Sequence, residues 1–344
     1  MVSSGMHRFL FSLILCSAGI GQIPVVTVDP SWPQPLPNGW GFGQVCGTAL
    51  GAHDHLWILQ RPSTSSAPAP PVIEFDAQGK AVRAWGGPGP GYDWPTHEHG
   101  LFFDYKGNIW ISGVGGEGFG RILKFTVDGK FLLQIGHVLK PGEKTSNNST
   151  NLGRQPADLF VDPQANELYV ADGDGGARRL IIYDADTGAF KRMWGAYGRK
   201  PEDGPAGKYD PQAPPSPSFS IGVHCVTMAH DGLVYVCDRN ADRIQVFHRD
   251  GTFVKEAFVA TKTMVDGSVF DIDFTPGQKY LYVADGTNDK VWILRTDSMR
   301  VVGSFGESGH HAGQFRNVHS VTVDSKGNVY TGEVEGRRVQ KFVP

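Results

Sequence analysis

The chain has no run of eighteen apolar residues, so no membrane-spanning helix is expected. It also lacks any segment with a convincing amphipathic helical period, which sets all-α architectures aside. Charge of one sign is missing: 32 Lys and Arg stand against 35 Asp and Glu, a net charge of −3, which argues against nucleic acid as a partner. Cysteine is scarce, with four in 344 residues. What is plentiful is turn chemistry. Forty-five glycines and 23 prolines imply many short connections, in a chain long enough for one large β domain or two medium ones.

The first residues, MVSSGMHRFLFSLILCSAGIGQ, combine a His-Arg pair, a short apolar stretch and small residues. They read as a secretory signal over residues 1–22, leaving one domain over 23–344. The expected protein is secreted or periplasmic, free of the membrane after cleavage, and a monomer. Three cysteines then remain. Cys225 and Cys237 fall at mirror positions in the two arms of one predicted hairpin, where cross-strand cysteines meet disulfide geometry. The third, Cys46, is left over.

An internal period of roughly 45 to 65 residues runs through the chain. Each unit opens with an apolar strand (VTVD, LFVD, LFFD), turns through a segment such as SKGN or YKGN, and returns as VYTGE, LYVAD or IWISG. A third strand starts near Arg or Lys (RIQVF, KVWIL, RILKF), and a Gly-led outer strand closes most units. Short alternating strands with repeated turn chemistry predict an all-β fold, a six-bladed propeller of four-stranded blades. The last unit has three strands of its own. The segment PVVTVDPSW at 24–32 should supply the fourth and close the circle, removing an exposed edge.

The units also share a polar position. His99, His224 and His319 each stand eleven residues ahead of a strand-ending aromatic: Trp110, Tyr235 and Tyr330. The same count from Trp57, Tyr169 and Tyr282 gives Cys46, Asp158 and Asp271. Around an axis, these six side chains are expected to point into one space. The fourth residue past the aromatic is Arg61 in one unit and Arg239 in another. Three neutral imidazoles with an open fourth position match a catalytic zinc site, and arginines suit a substrate carboxylate. Polar residues that merely line a watered channel would give the same pattern. His97 and Glu98 are expected in a loop beside His99, and His310 and His311 on the surface. Asp172, Asp238 and Asp285, ending second strands, are expected to bond loop amides. Asp158 and Asp271 could bind a cation, orient a histidine or cap strand amides.

The segments GQFRNVHSVTVDSKGNVYTGEVEGRRVQKF and VHCVTMAHDGLVYVCDRNADRIQVF resemble NHL repeats. The mature chain as a whole resembles the peptidyl-α-hydroxyglycine α-amidating lyases, a family of six-bladed propellers. The resemblance implies a zinc ion on His99, His224 and His319, with Arg61 and Arg239 as active-site arginines. It implies cleavage of a carboxylate-bearing carbinolamide to a peptide amide and glyoxylate. Two positions depart from the family. Its catalytic tyrosine motif reads Asp172-Gly173-Asp174 here, so Asp174 takes the tyrosine's place as the candidate catalytic residue; a carboxylate could act as the base, though its unperturbed pKa is about six units lower, and Tyr92 or Tyr197 could reach in from loops instead. Its calcium-binding aspartate is replaced by Ser320, with Thr48 and Leu101 at the carbonyl positions, so calcium, if held, would use other groups such as Asp158 or Asp271. Two further readings fit the sequence: a metal-dependent ester or lactone hydrolase, and a non-catalytic propeller that binds a peptide or protein on its loop face.

Overall fold

The structure is a computed structural model that describes residues 22–116, 118–138, 140, 146–174 and 177–344. Residues 1–21, with nearly all of the expected signal, lie outside that set. Among the described residues, twenty-four strands form six four-stranded antiparallel sheets. From the channel outward, blade 1 is Gln44–Leu50, Leu56–Arg61, Val72–Phe75 and Ala81–Trp85. Blades 2 to 5 follow, with inner strands His97–Phe103, Asp158–Asp162, Val223–Met228 and Asp271–Phe274. Blade 6 contributes Val318–Val323, Val329–Glu333 and Arg338–Val343. Its outer strand is Thr27–Val28, paired antiparallel with Phe342 and Val343. The two chain ends therefore close the ring, as the three-stranded last repeat requires.

Among the described residues no single core runs through the molecule. Six apolar clusters lie between adjacent blades, because alternate residues of each strand face opposite neighbours. In blade 1, Val45, Ile58 and Ile73 pack toward Tyr330 and Val339 of blade 6. Their alternates Leu59 and Val72 pack toward Leu101, Ile109 and Leu123 of blade 2. The aromatics Trp57, Trp110, Tyr169, Tyr235, Tyr282 and Tyr330 stand near the start of the second strands rather than at a strand end, and all are buried in these layers. The repeated tight turns are held by aspartates: Asp324 Oδ1 accepts from the amides of Lys326 (3.0 Å) and Asn328 (2.8 Å). Gly327, at φ +85°, takes the left-handed corner that an L residue resists.

Cys225 and Cys237 face each other across the hairpin of blade 4 and form the expected disulfide, with Cα atoms 4.8 Å apart. The aspartates ending the second strands tie down loops. Asp172 accepts from the amide of Gly153 and from Arg179, and Asp238 from the amide of Ser220 and from Arg243. Asp285 accepts from Asn288 and Trp292. His310 and His311 are exposed. His97 and Glu98 belong to the inner strand of blade 2 rather than to a loop, paired with Val114 and Gly113.

Candidate metal centre

Antiparallel hairpins place the start of each inner strand beside the end of the second strand, so one mouth of the channel collects both. In blades 2, 4 and 6 the inner strand carries one extra residue at this point. His224 falls between the pairs Val223↔Asp238 and Cys225↔Cys237, and His319 between Val318↔Glu333 and Ser320↔Gly332. His99 and Gly100 together face Ser112. A bulge of this kind re-aims a side chain. Cys46 sits in the same bulge in blade 1.

The three imidazoles come together. Their ring centroids are 4.9, 4.9 and 5.0 Å apart, and their candidate ligand atoms lie within 4.8 Å of one another. Among the described residues they form the one such cluster of His, Cys, Asp or Glu. Each Nδ1 is fixed on a backbone carbonyl of the next blade: His99 on Ala157 (3.0 Å), His224 on Phe270 (2.6 Å), His319 on Cys46 (2.8 Å). Carbonyls only accept, so the ring protons belong on Nδ1 and the Nε2 lone pairs are left for the centre. Burial first, then neighbouring positive groups, holds His224 and His319 well below the usual imidazole range, which keeps them neutral. His224 Nε2 is buried with no hydrogen-bond partner. A donor set of three imidazoles, with the His224 Nε2 lone pair orphaned, fits a zinc ion held by His99, His224 and His319.

Asp158 and Asp271 do not share this ring, although the same sequence count reaches them. Tyr235 pairs with Thr227, three residues after His224, whereas Tyr169 pairs with Phe160, two after Asp158. The aspartates therefore sit one step deeper, in unbulged strands. Their carboxylates accept from the amides of Val226 (3.0 Å) and Val321 (2.9 Å), each in the inner strand of the next blade. Desolvation pushes Asp158 up to about 7 and Asp271 well above the ordinary range, each aggravated by nearby carboxylates. Both line the gap beneath the histidines together with Thr48, Leu101 and Ser320, whose hydroxyl has no partner. Below that gap the channel widens into a chamber of about 610 Å³. Burial pushes the Cys46 thiol up to about 12, and it bonds the Leu59 carbonyl, so only its own carbonyl serves the centre.

Both arginines reach the mouth, and their charges reach His319. Arg61 is buried, with Nε on the Glu98 carbonyl (2.9 Å) and Nη1 on Gln44 (2.9 Å). Glu98 is itself anchored by Trp94 (2.8 Å). Arg239 lies over the Phe270 ring at 4.9 Å, and its Nε has no partner. Its Nη2 pairs with Asp174 Oδ1 at 2.8 Å, while Asp174 Oδ2 lies 3.1 Å from His99 Nε2 and 2.7 Å from Gln155 Nε2. Burial works against the charge of Asp174, but His99 and Arg239 hold its carboxyl well below the ordinary carboxylate range. Ion-paired in this way it is a poorer base than a free carboxylate. Tyr92 and Tyr197 do not reach the site: one hydroxyl bonds Gly87, the other Glu256 and Arg243. Gln155 and Phe270 carry no sequence signal for their roles, and the carbonyl acceptors are invisible to any reading of side chains.

No established family model matches the chain. It is 31% identical over 327 residues to human NHL repeat-containing protein 3, covering 92% of this chain and 84% of that protein. It is 27% identical over 280 residues to peptidyl-α-hydroxyglycine α-amidating lyase 1 of Drosophila melanogaster, covering 73% of this chain and 46% of that one. The solved virginiamycin B lyase of Staphylococcus aureus shares the fold, with a TM-score of 0.54 at 14% identity over 89% of this chain and 83% of that one. The chain belongs to the NHL-repeat propellers typified by NHL repeat-containing protein 3, and it is homologous to the peptidyl-hydroxyglycine lyase domains.

Proposed function

We propose that the protein is an exported zinc-dependent carbon–nitrogen lyase for small carboxylate-bearing carbinolamides of the peptidyl-α-hydroxyglycine type. The observation that carries this reading is the convergence of three carbonyl-anchored imidazoles at the mouth that also holds Arg61 and Arg239. Zinc, when bound, supplies a Lewis acid at the substrate oxygen. Arg239, flat on Phe270 with an unpaired Nε, is the group to take the substrate carboxylate. Arg61, tied to the His99 strand through the Glu98 carbonyl, fixes that strand and adds positive charge. In the reaction the hydroxyl proton leaves oxygen, the C–N bond breaks, and a proton reaches nitrogen, giving amide and glyoxylate. Kinship with a protein named as a hydroxyglycine amidating lyase supports this chemistry. The Cys225–Cys237 disulfide supports export, since such bonds persist in oxidising compartments.

A second reading, a metal-holding propeller that binds without turnover, is favoured by one observation: Asp174 already occupies Arg239. Glyoxylate release from α-hydroxyhippurate by zinc-loaded protein separates the two. Release that is abolished in His224→Ala supports the lyase. A zinc-loaded protein with one ion per chain and no glyoxylate above background would sink it.

A further inference from the structure

Around Asp174 the hydrogen bonds balance only with a second proton on His99 or a metal ion in that proton's place. The His99 ring proton belongs on Nδ1, because its 3.0 Å neighbour is the Ala157 carbonyl. Nε2 therefore presents a lone pair, yet 3.1 Å away stands Asp174 Oδ2, another acceptor. His224 and His319 send their Nε2 lone pairs to the same place, and that of His224 is buried without a partner. Three imidazole nitrogens converge, and the Asp174 carboxylate meets them at His99.

We propose that Asp174 is the fourth ligand of the metal held by His99, His224 and His319, so that the resting centre is a closed three-histidine, one-aspartate site. Two atoms sharing a tetrahedral zinc at about 2.0–2.1 Å stand roughly 3.3 Å apart, close to the 3.1 Å between Asp174 and His99. The carboxylate is oriented as ligating carboxylates are, by outer partners: Arg239 Nη2 on Oδ1 at 2.8 Å and Gln155 Nε2 on Oδ2 at 2.7 Å. The backbone delivers it. Gly173 lies so close to Val223, the residue before His224, that any Cβ there would overlap it. A substrate carboxylate must then displace Asp174 from Arg239 before it can bind. The inference rests on the metal part of the proposed function and is independent of the lyase chemistry.

Cobalt(II) loaded into the chelated full-length protein is the probe, read by its visible d–d absorption and by competition with a chromogenic chelator. The wild type should show the intense four-coordinate spectrum, unmoved by added acetate or azide. Asp174→Asn should bind cobalt at least tenfold more weakly, and its spectrum should shift with those anions as an opened position fills. Gln155→Ala should weaken binding in the same direction but less. A wild-type spectrum that already titrates with acetate, or equal affinity in Asp174→Asn, overturns the proposal and leaves the lyase reading standing. A four-coordinate, anion-silent cobalt centre in a protein that releases no glyoxylate upholds the proposal and removes the lyase. Failure of the wild type to take up cobalt removes both. The wild-type anion titration needs no variant, so a misfolded Asp174→Asn does not block the test.

Discussion

Replacing Gly100 with alanine should detach His99 from the other two histidines while the six blades stay folded. Gly100 is the second residue of the blade 2 bulge, facing Ser112 together with His99. A Cβ there would overlap the Ala157 carbonyl and the Ser112 hydroxyl at separations that real side chains do not reach. Both groups belong to the anchoring network. The Ala157 carbonyl accepts from His99 Nδ1 and from the Ser112 hydroxyl, each at 3.0 Å, and Ser112 Oγ accepts the Gly100 amide at 3.0 Å. Overpacking of this sort costs about 1–3 kcal/mol. Losing one of the buried hydrogen bonds adds about 0.5–1.5 kcal/mol. The sum, roughly 1.5–4.5 kcal/mol, is a large share of an ordinary domain's stability yet short of unfolding it. The assay is urea denaturation followed by tryptophan fluorescence, with zinc affinity measured by chelator competition on the same samples. Gly116, where an added Cβ meets nothing within 4 Å, is the control. Gly100→Ala should lose both stability and zinc affinity, and Gly116→Ala neither. Wild-type affinity in a destabilised Gly100→Ala would show that the bulge does not aim His99, and the reasoning would fail.

Other perturbations probe the frame. Replacing Cys225 and Cys237 together by serine opens a cross-link between residues 12 apart in sequence and should lower stability by about 3 kcal/mol on the chain-entropy model, read as a fall in urea midpoint that reducing agent reproduces in the wild type. Asp273 accepts from the amides of Val323 and Phe274 beside the inner chamber, and burial pushes it up to about 7. Its folded carboxyl thus holds a proton that the unfolded one releases near 4. Its contribution is fullest below pH 4, declines as pH rises to about 7, and then levels off. The slope is about 1.4 kcal/mol per pH unit at most, and Asp273→Asn should flatten the stability profile over that window. An unchanged slope would mean that chamber water solvates the charge. Deleting residues 1–30 removes Thr27–Val28 and leaves Arg338–Val343 as a bare edge, so size-exclusion chromatography should show association that the full chain lacks.

Much of this architecture was legible because each blade repeats the same local physics. Alternation, a tight turn and a buried aromatic recur six times, and the missing outer strand of the last repeat pointed to residues 24–32. The opposed cysteines followed from counting out from one turn. What misled was the count of eleven itself. It is the same in all six units, yet in blades 3 and 5 the aromatic pairs two residues after the counted position, and in blades 2, 4 and 6 three. The extra residue is absorbed by a bulge, which leaves no mark on spacing. Residue type tracks the difference: a histidine in a bulge turns to its partners, and an aspartate in a regular strand caps amides of a neighbouring inner strand.

That difference also explains why the site cannot be read as three ligands and two arginines added together. The bulges raise the histidines to the level of the second-strand ends, where Arg239 and the Asp172–Asp174 turn arrive from neighbouring blades. Once they share a level, the charge at Asp174 is decided by its neighbours and not by its own sequence motif. A tyrosine at that place would leave Arg239 free for a substrate; a carboxylate takes both the arginine and a place beside His99 Nε2. The same substitution therefore acts on the metal seat and on the carboxylate seat at once. Any loss of activity in a variant of Asp174 must be read against metal affinity before it is assigned to chemistry. If affinity falls while carboxylate-bearing substrates bind more tightly, Asp174 is a ligand that competes with them; if affinity holds and turnover alone falls, it belongs to the reaction.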